Sequence, residues 1–309
     1  MSIRELLRPR APEPGAALEA TADAVHRVAV LLAAGLDPLA ALRALADTGG
    51  PLADAAACAS PLEVPEALCA SAGAASEQGG WRYLAACWAV ATESGAPLAA
   101  TIERSAETLR ALADADRQVE LALAGPVSTA RIVALLPVAG IGMALLIGAD
   151  PLGVILGTVP GALAAVVGVV ALVAGVRWNR RLVASARVVD PLAGAGHELL
   201  ALAMSGGASP DAALARVADA AGRCGIPVEL ATTRETLDFA ARAGVPVAAL
   251  LRAEAARARR LALADVLRRA ALLGTRLLAP LAVCFLPGFV LLGVVPLVIG
   301  ILRGALAGF

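Results

Sequence analysis

Three apolar runs without a single charge constrain this chain more than any other feature. They extend from Ile132 to Ala149, from Leu152 to Val176 and from Leu277 to Leu302. At about 1.5 Å of rise per residue, each is long enough as a helix to cross a hydrocarbon core of about 30 Å. Only Asp150-Pro151 separates the first two, so the pair reads as a transmembrane hairpin turning there. The chain is 59% hydrophobic and only 3% aromatic. A soluble protein that apolar would need an unusually large core, so spans are the simpler account.

Between and before the runs lie two polar blocks, about 24–131 and 177–276. They punctuate alike. In the first, a helical stripe from Val25 to Ala34 ends at Gly35, and Asp37-Pro38 restarts a helix. Asp accepts from free N–H groups at the N-cap, and Pro fits the first turn, where its missing N–H costs nothing. In the second, the stripe from His197 to Met204 ends at Gly206-Gly207, and Ser209-Pro210 restarts. Gly35 and Pro38 correspond to Gly207 and Pro210 at one offset, as do Ala41-Leu42 and Ala213-Leu214. Gly95-Ala96-Pro97 then matches Gly244-Val245-Pro246, and Leu136-Pro137 matches Leu286-Pro287. Several matches in the same order indicate an internal repeat, each copy running into a span. Trp81, Leu84 and Trp88 share one helical face in the first block. The stretch from Asp47 to Gly80 reads as a long connection with one short helix, and 1–23 as a loose tail without the apolar segment of a signal peptide.

Charge sets a topology. Arg117 and Arg131 precede the hairpin, Arg177, Arg180, Arg181 and Arg187 follow it, and its turn has none. Seven Arg lie between Arg252 and Arg276, with only Arg303 after the last span. Basic residues gather on the cytoplasmic side, which puts both blocks and the N-terminus inside and the tail 303–309 outside. The first block is acidic, with twelve carboxylates against five Arg from Asp37 to Glu120, and the second is basic, with fifteen Arg against nine carboxylates from Arg177 to Arg276. That imbalance suits docking between the blocks or onto a charged partner, and equally suits solvated helix faces.

Enzymatic chemistry finds little support. All 26 basic residues are Arg, so a phosphate-binding loop with its Lys and a lysine Schiff base are both excluded. The five Cys form no C-x-x-C pair and read as reduced thiols. His26 and His197 each open the first helix of a copy, which favours a structural hydrogen bond over catalysis. No catalytic, cofactor or metal residue is assigned, and charge-free spans disfavour a transporter. What remains is packing and docking. Gly157, Gly161, Gly168 and Gly175 follow one face of the second span at helical spacing and suit close helix contact, within the chain or between copies of a homo-oligomer. Arg252, Arg257, Arg259, Arg260, Arg268 and Arg269 suit either a partner's acidic face or the orientation of the third span on anionic lipid. Without aromatic interleaving, nucleic acid is not an expected partner.

The repeated helix-Gly-x-x-Pro-helix blocks, each leading into spans, resemble the F domain of type II secretion systems. Trp81-Arg82-Tyr83-Leu84 with Gly95-Ala96-Pro97-Leu98 resembles the versions of Flp (tight adherence, Tad) pilus systems. Gly244-Val245-Pro246, Leu251-Arg252-Ala253-Glu254 and Phe285-Leu286-Pro287-Gly288-Phe289 are similar to the companion Tad protein, with both copies here on one chain. The resemblance implies an all-α membrane protein: cytoplasmic helical-bundle F domains at 24–131 and 177–276, and transmembrane helices at 132–149, 152–176 and 277–302. It also implies a non-enzymatic inner-membrane platform that couples a cytoplasmic hexameric ATPase to pilins or pseudopilins. A membrane-anchored scaffold or a transporter subunit without that role is the alternative.

Overall fold

The structure is a computed structural model and describes residues 14–72, 78–146, 153, 157–186, 192–296 and 298–299. Among these, every regular element is helical. The first block holds α1 (Pro14–Ala33), α2 (Pro38–Ala44), α3 (Pro51–Ala56), α4 (Val64–Ser71) and α5 (Gln78–Ser94), followed by the long α6 (Leu98–Leu146). After α7 (Val159–Ala186), the second block holds α8 (Ala195–Ser205), α9 (Pro210–Cys224), α10 (Leu230–Ala243) and α11 (Val247–Arg276). The helical path of α11 continues to Val294.

The punctuation works as its chemistry demands. Gly35 and Gly207 end their helices at φ of +89° and +81°, a region that costs an L side chain but not glycine. Asp37 Oδ2 then accepts from the N–H groups of Leu39 and Ala40, and Ser209 Oγ accepts from that of Ala212. Gly95 and Gly244 likewise take positive φ before α6 and α11.

Several expectations change. Helix α1 already begins at Pro14, so residues 14–23 are not a loose tail and His26 sits within a helix rather than opening one. The stretch from Asp47 to Gly80 carries two short helices, α3 and α4, each with Pro in its first turn, and a 3-10 turn at Ala46–Thr48. No break separates the first block from its span, because α6 runs unbroken from Leu98 to Leu146. The turn at Asp150-Pro151 and the tail 303–309 lie outside the described residues, as do parts of all three spans.

The chain divides into two compact units, Met1–Arg117 with Asp190–Leu263 and Gln118–Val189 with Ala264–Phe309. In the first unit the two sequence blocks share one core rather than forming separate bundles. Helix α5 explains why. Tyr83 to Ala91 are all buried, so the helix is apolar on every side and must be covered on every side. It packs against α1 and α4 of its own block and against α8 and α9 of the other. Trp88 is fully buried there, and its indole N–H donates to Pro61 O at 3.0 Å. Where α5 ends, Gly206 approaches so closely that a Cβ on it would meet Ser94 O at 2.2 Å.

Two helices are long and apolar enough to cross a membrane, Val159–Ala186 in the second unit and the continuous Val247–Val294, whose residues from Ala264 onward belong to that unit. Only 17% and 28% of their apolar windows are buried. The core helix of a soluble protein would be mostly covered, so these exposed apolar surfaces suit lipid. The last helix widens into π turns at Leu281–Phe285 and Val290–Val294, near Pro280 and Pro287. Proline removes an N–H from the helical ladder, and the wider turn re-pairs the carbonyls left behind.

Candidate functional site

Among the described residues Glu198 is the most enclosed carboxylate of the first unit, its side chain 11% exposed on α8. Buried charge is tolerated only when paired and hydrogen-bonded. Arg259 of α11 supplies the pair at 2.5 Å from Oε2, and Thr108 of α6 donates to Oε1 at 3.3 Å. The cluster therefore joins three helices from both blocks. Beside it, Tyr83, Cys87, Thr101, Arg104, Ser105, Leu202 and Arg252 line a cavity of about 10 Å³. That is room for at most one water and excludes a nucleotide or metabolite there. Burial pushes the Cys87 thiol up to about 12, so it is a packed thiol and not a nucleophile. Among the described residues no group of His, Cys, Asp or Glu has the arrangement of a metal site.

The candidate docking arginines fall into different environments. Arg259 is committed to Glu198, and Arg252 donates to Ser205 Oγ at 3.0 Å from a half-buried position. Arg257 pairs with Glu254 at 3.2 Å but its side chain stays 64% exposed. Arg269 pairs with Asp265 one turn away. Arg260 and Arg268 are exposed. The sequence signalled a basic stretch, but nothing in it distinguished the internal Arg259 from its exposed neighbours. The two blocks also meet through an ion pair between Arg223 of α9 and Glu93 of α5. That pairs the basic block with the acidic one within a single unit.

In the second unit, the glycine face of α7 packs within the chain. Its buried positions include Gly161, Ala164, Gly168 and Gly175, at spacings that keep one side of a helix inward. A Cβ on Gly168 would come within 2.7 Å of Leu292 Cγ, and one on Gly175 within 2.9 Å of Cys284 Cβ and of the Phe285 ring. Gly288 answers from the other helix, where a Cβ would meet Leu172 Cδ2 at 2.9 Å. Among the described residues nothing lies within 4 Å of a Cβ on Gly157.

His197 is half-buried on α8, with Thr236 Oγ1 at 3.4 Å from Nε2. Desolvation holds its pKa below the usual value, against the opposing pull of Glu254 and Glu229. A lone imidazole facing a threonine is a packing contact, and among the described residues it belongs to no metal-binding group.

No curated protein and no solved structure matches the chain. A family does match, over the segment that begins within α1 and ends with the last residue of α6. Residues 24–146 match the family described as Type II secretion system (T2SS), protein F.

Proposed function

We propose that the chain is a non-enzymatic inner-membrane platform that couples a cytoplasmic hexameric ATPase to the assembly of pilins or pseudopilins, in an Flp/Tad-like pilus or type II secretion machine. The observation that carries this reading is the continuity of two helices. Both α6 and the helix from Val247 to Val294 begin in the unit that holds the shared core and end in the unit that holds the apolar spans. Such helices link the soluble body to the spans through the chain itself. The domain match at 24–146 supports the platform role.

Residues 177–276 are, in this reading, a second F domain. Its support is the matched left-handed glycines and capped Pro turns, Gly35 to Pro38 beside Gly207 to Pro210. Three spans with the N-terminus inside and the C-terminus outside complete the topology, from the distribution of Arg. Exposed Arg257, Arg260 and Arg268 of α11 are the proposed ATPase contacts, with Arg252, Arg259 and Arg269 placing or flanking them.

Affinity purification of the full chain from its own membranes tests this. The expected co-purifying proteins are a hexameric ATPase and small pilins, and deleting the chain should stop pilin assembly while leaving pilin in the membrane. Recovery of a solute-transport complex instead, with pilin assembly intact in the deletion, would overturn it.

A further inference from the structure

Cys69 is a half-buried residue of α4, and Cys224 is the last residue of α9. They lie 155 positions apart in sequence, yet their sulfurs approach to 2.7 Å. Two unbonded sulfurs do not pack that closely, while the covalent bond is about 2.05 Å long. Only a small closing movement separates the two states. The two sites differ in access: Cys69 is half-buried and Cys224 is 4% exposed. Arg223 adjoins Cys224 in sequence, and Arg82 Nη1 would lie 3.5 Å from a Cβ on Gly225, the residue after Cys224. Both guanidinium groups act on Cys69 electrostatically, opposed by Glu66, and that of Arg223 is itself paired with Glu93 and Asp219.

We propose that Cys69 and Cys224 are an oxidation site, at which a peroxide closes a disulfide between α4 of the first block and the end of α9 of the second. The hydrogen bond with Cys224 and the two arginines favour the Cys69 thiolate, while that same contact and burial hold Cys224 as the thiol. Cys69 thus attacks first. Its thiolate takes one peroxide oxygen, the O–O bond breaks, and hydroxide leaves and picks up a proton, giving Cys69 sulfenic acid and water. The Cys224 sulfur then attacks that of Cys69, the S–S bond forms, the S–O bond breaks, and the Cys224 proton leaves with the hydroxyl as a second water. Two electrons pass from the sulfurs to the peroxide. The product joins the two blocks covalently where they already share a core, independently of any partner.

The test uses the full chain in detergent, reduced, desalted, and then treated with hydrogen peroxide. After denaturing alkylation and proteolysis, the expected product is one linked peptide pair containing Cys69 and Cys224, lighter by two hydrogens. Cys58, Cys87 and Cys284 should be recovered alkylated. Oxidation should raise the midpoint of thermal unfolding, a reductant should reverse the rise, and Cys69→Ser and Cys224→Ser should each abolish it. Cys69→Ser alone, at the more exposed position, keeps the test valid if Cys224→Ser fails to fold. Full alkylation of Cys69 after peroxide treatment, Cys69 trapped as sulfinic acid, or Cys69 linked to Cys58 would each overturn the proposal.

Discussion

The Arg259 guanidinium lies 2.5 Å from Glu198 Oε2, joining residues 61 positions apart across the interior of the first unit. Glu198 keeps a second bond, from Thr108 at 3.3 Å, so the carboxylate sits within a network and not on a solvated face. Removing one partner of such a pair leaves an uncompensated buried charge. Arg259→Ala is therefore expected to cost about 3 kcal/mol, near the low end for buried pairs because the Arg259 side chain is 22% exposed. Arg257→Ala, whose side chain is 64% exposed, should cost roughly 0 to 0.5 kcal/mol. Thermal or denaturant unfolding of the two variants in detergent measures the contrast. Equal losses would show that the Glu198 pair is not a buried tie.

Glycine spacing on α7 leads to a second contrast. Gly168→Val places its Cβ within 2.7 Å of Leu292 Cγ, and relieving that overlap should cost about 1–3 kcal/mol. Gly175→Val faces the Phe285 ring at 2.9 Å and should behave alike. Gly157→Val meets nothing among the described residues and should unfold as the unmodified chain does. If Gly157→Val alone altered behaviour, by lowering the oligomeric state, its free face would serve contact between copies.

Gly35 has no neighbour within 4 Å of a would-be Cβ, yet its φ is +89°. Any cost of Gly35→Val is thus backbone strain alone, about 1–2 kcal/mol. Pro38→Ala should change stability by a few tenths at most, since Asp37 still caps the helix. Unfolding midpoints of the two variants compare them directly.

Local chemistry made some of this architecture readable from sequence, and distance in the chain hid the rest. Asp37-Pro38, Ser209-Pro210 and the glycines at 35, 95, 207 and 244 marked helix ends correctly, because caps depend on neighbours within one turn. Only one short helix was read where α3 and α4 both stand, although Pro51 and Pro65 lie in their first turns. Their Ala-rich bodies carry too short a stripe to show a period. Each copy was read as running into a span, but not as one continuous helix with it. Charge stops near Arg131 and Arg276, but the backbone hydrogen bonding that defines a helix does not. The shared core, the Glu198–Arg259 pair and the Cys69–Cys224 approach all unite residues far apart in sequence, and no local pattern announces such contacts.

His197 sets a pH dependence. Its folded pKa lies below the unfolded value of about 6.5 because desolvation disfavours the imidazolium. The unfolded chain then binds more protons than the folded one between those two values. Stability is accordingly full above about pH 6.5 and declines as pH falls through that window toward the folded pKa. His197→Gln should remove this step while leaving any acid unfolding at lower pH. Unfolding midpoints between pH 7.5 and 5 for both proteins would show it, and an unchanged slope in the variant would assign the dependence elsewhere.

The last prediction concerns the basic surface of α11. Reversing Arg259 would break the Glu198 pair and confound any binding assay, so the informative set is Arg257, Arg260 and Arg268, all exposed. Single exposed charges contribute roughly 0 to 1 kcal/mol, so one substitution should change little. Reversing the three together to Glu should weaken ATPase binding several-fold and slow its association. The unmodified pair should lose affinity as salt rises, because contacts between exposed charges are screened over a Debye length of about 10 Å at 0.1 M. These residues also stand on the helix that leads into the last span, where positive charge orients insertion. Cysteine labelling of the C-terminal tail must accordingly give the same sidedness in the variant before its binding is compared. Normal insertion with unchanged affinity and salt response would leave these arginines as orienting charges and put the docking face elsewhere.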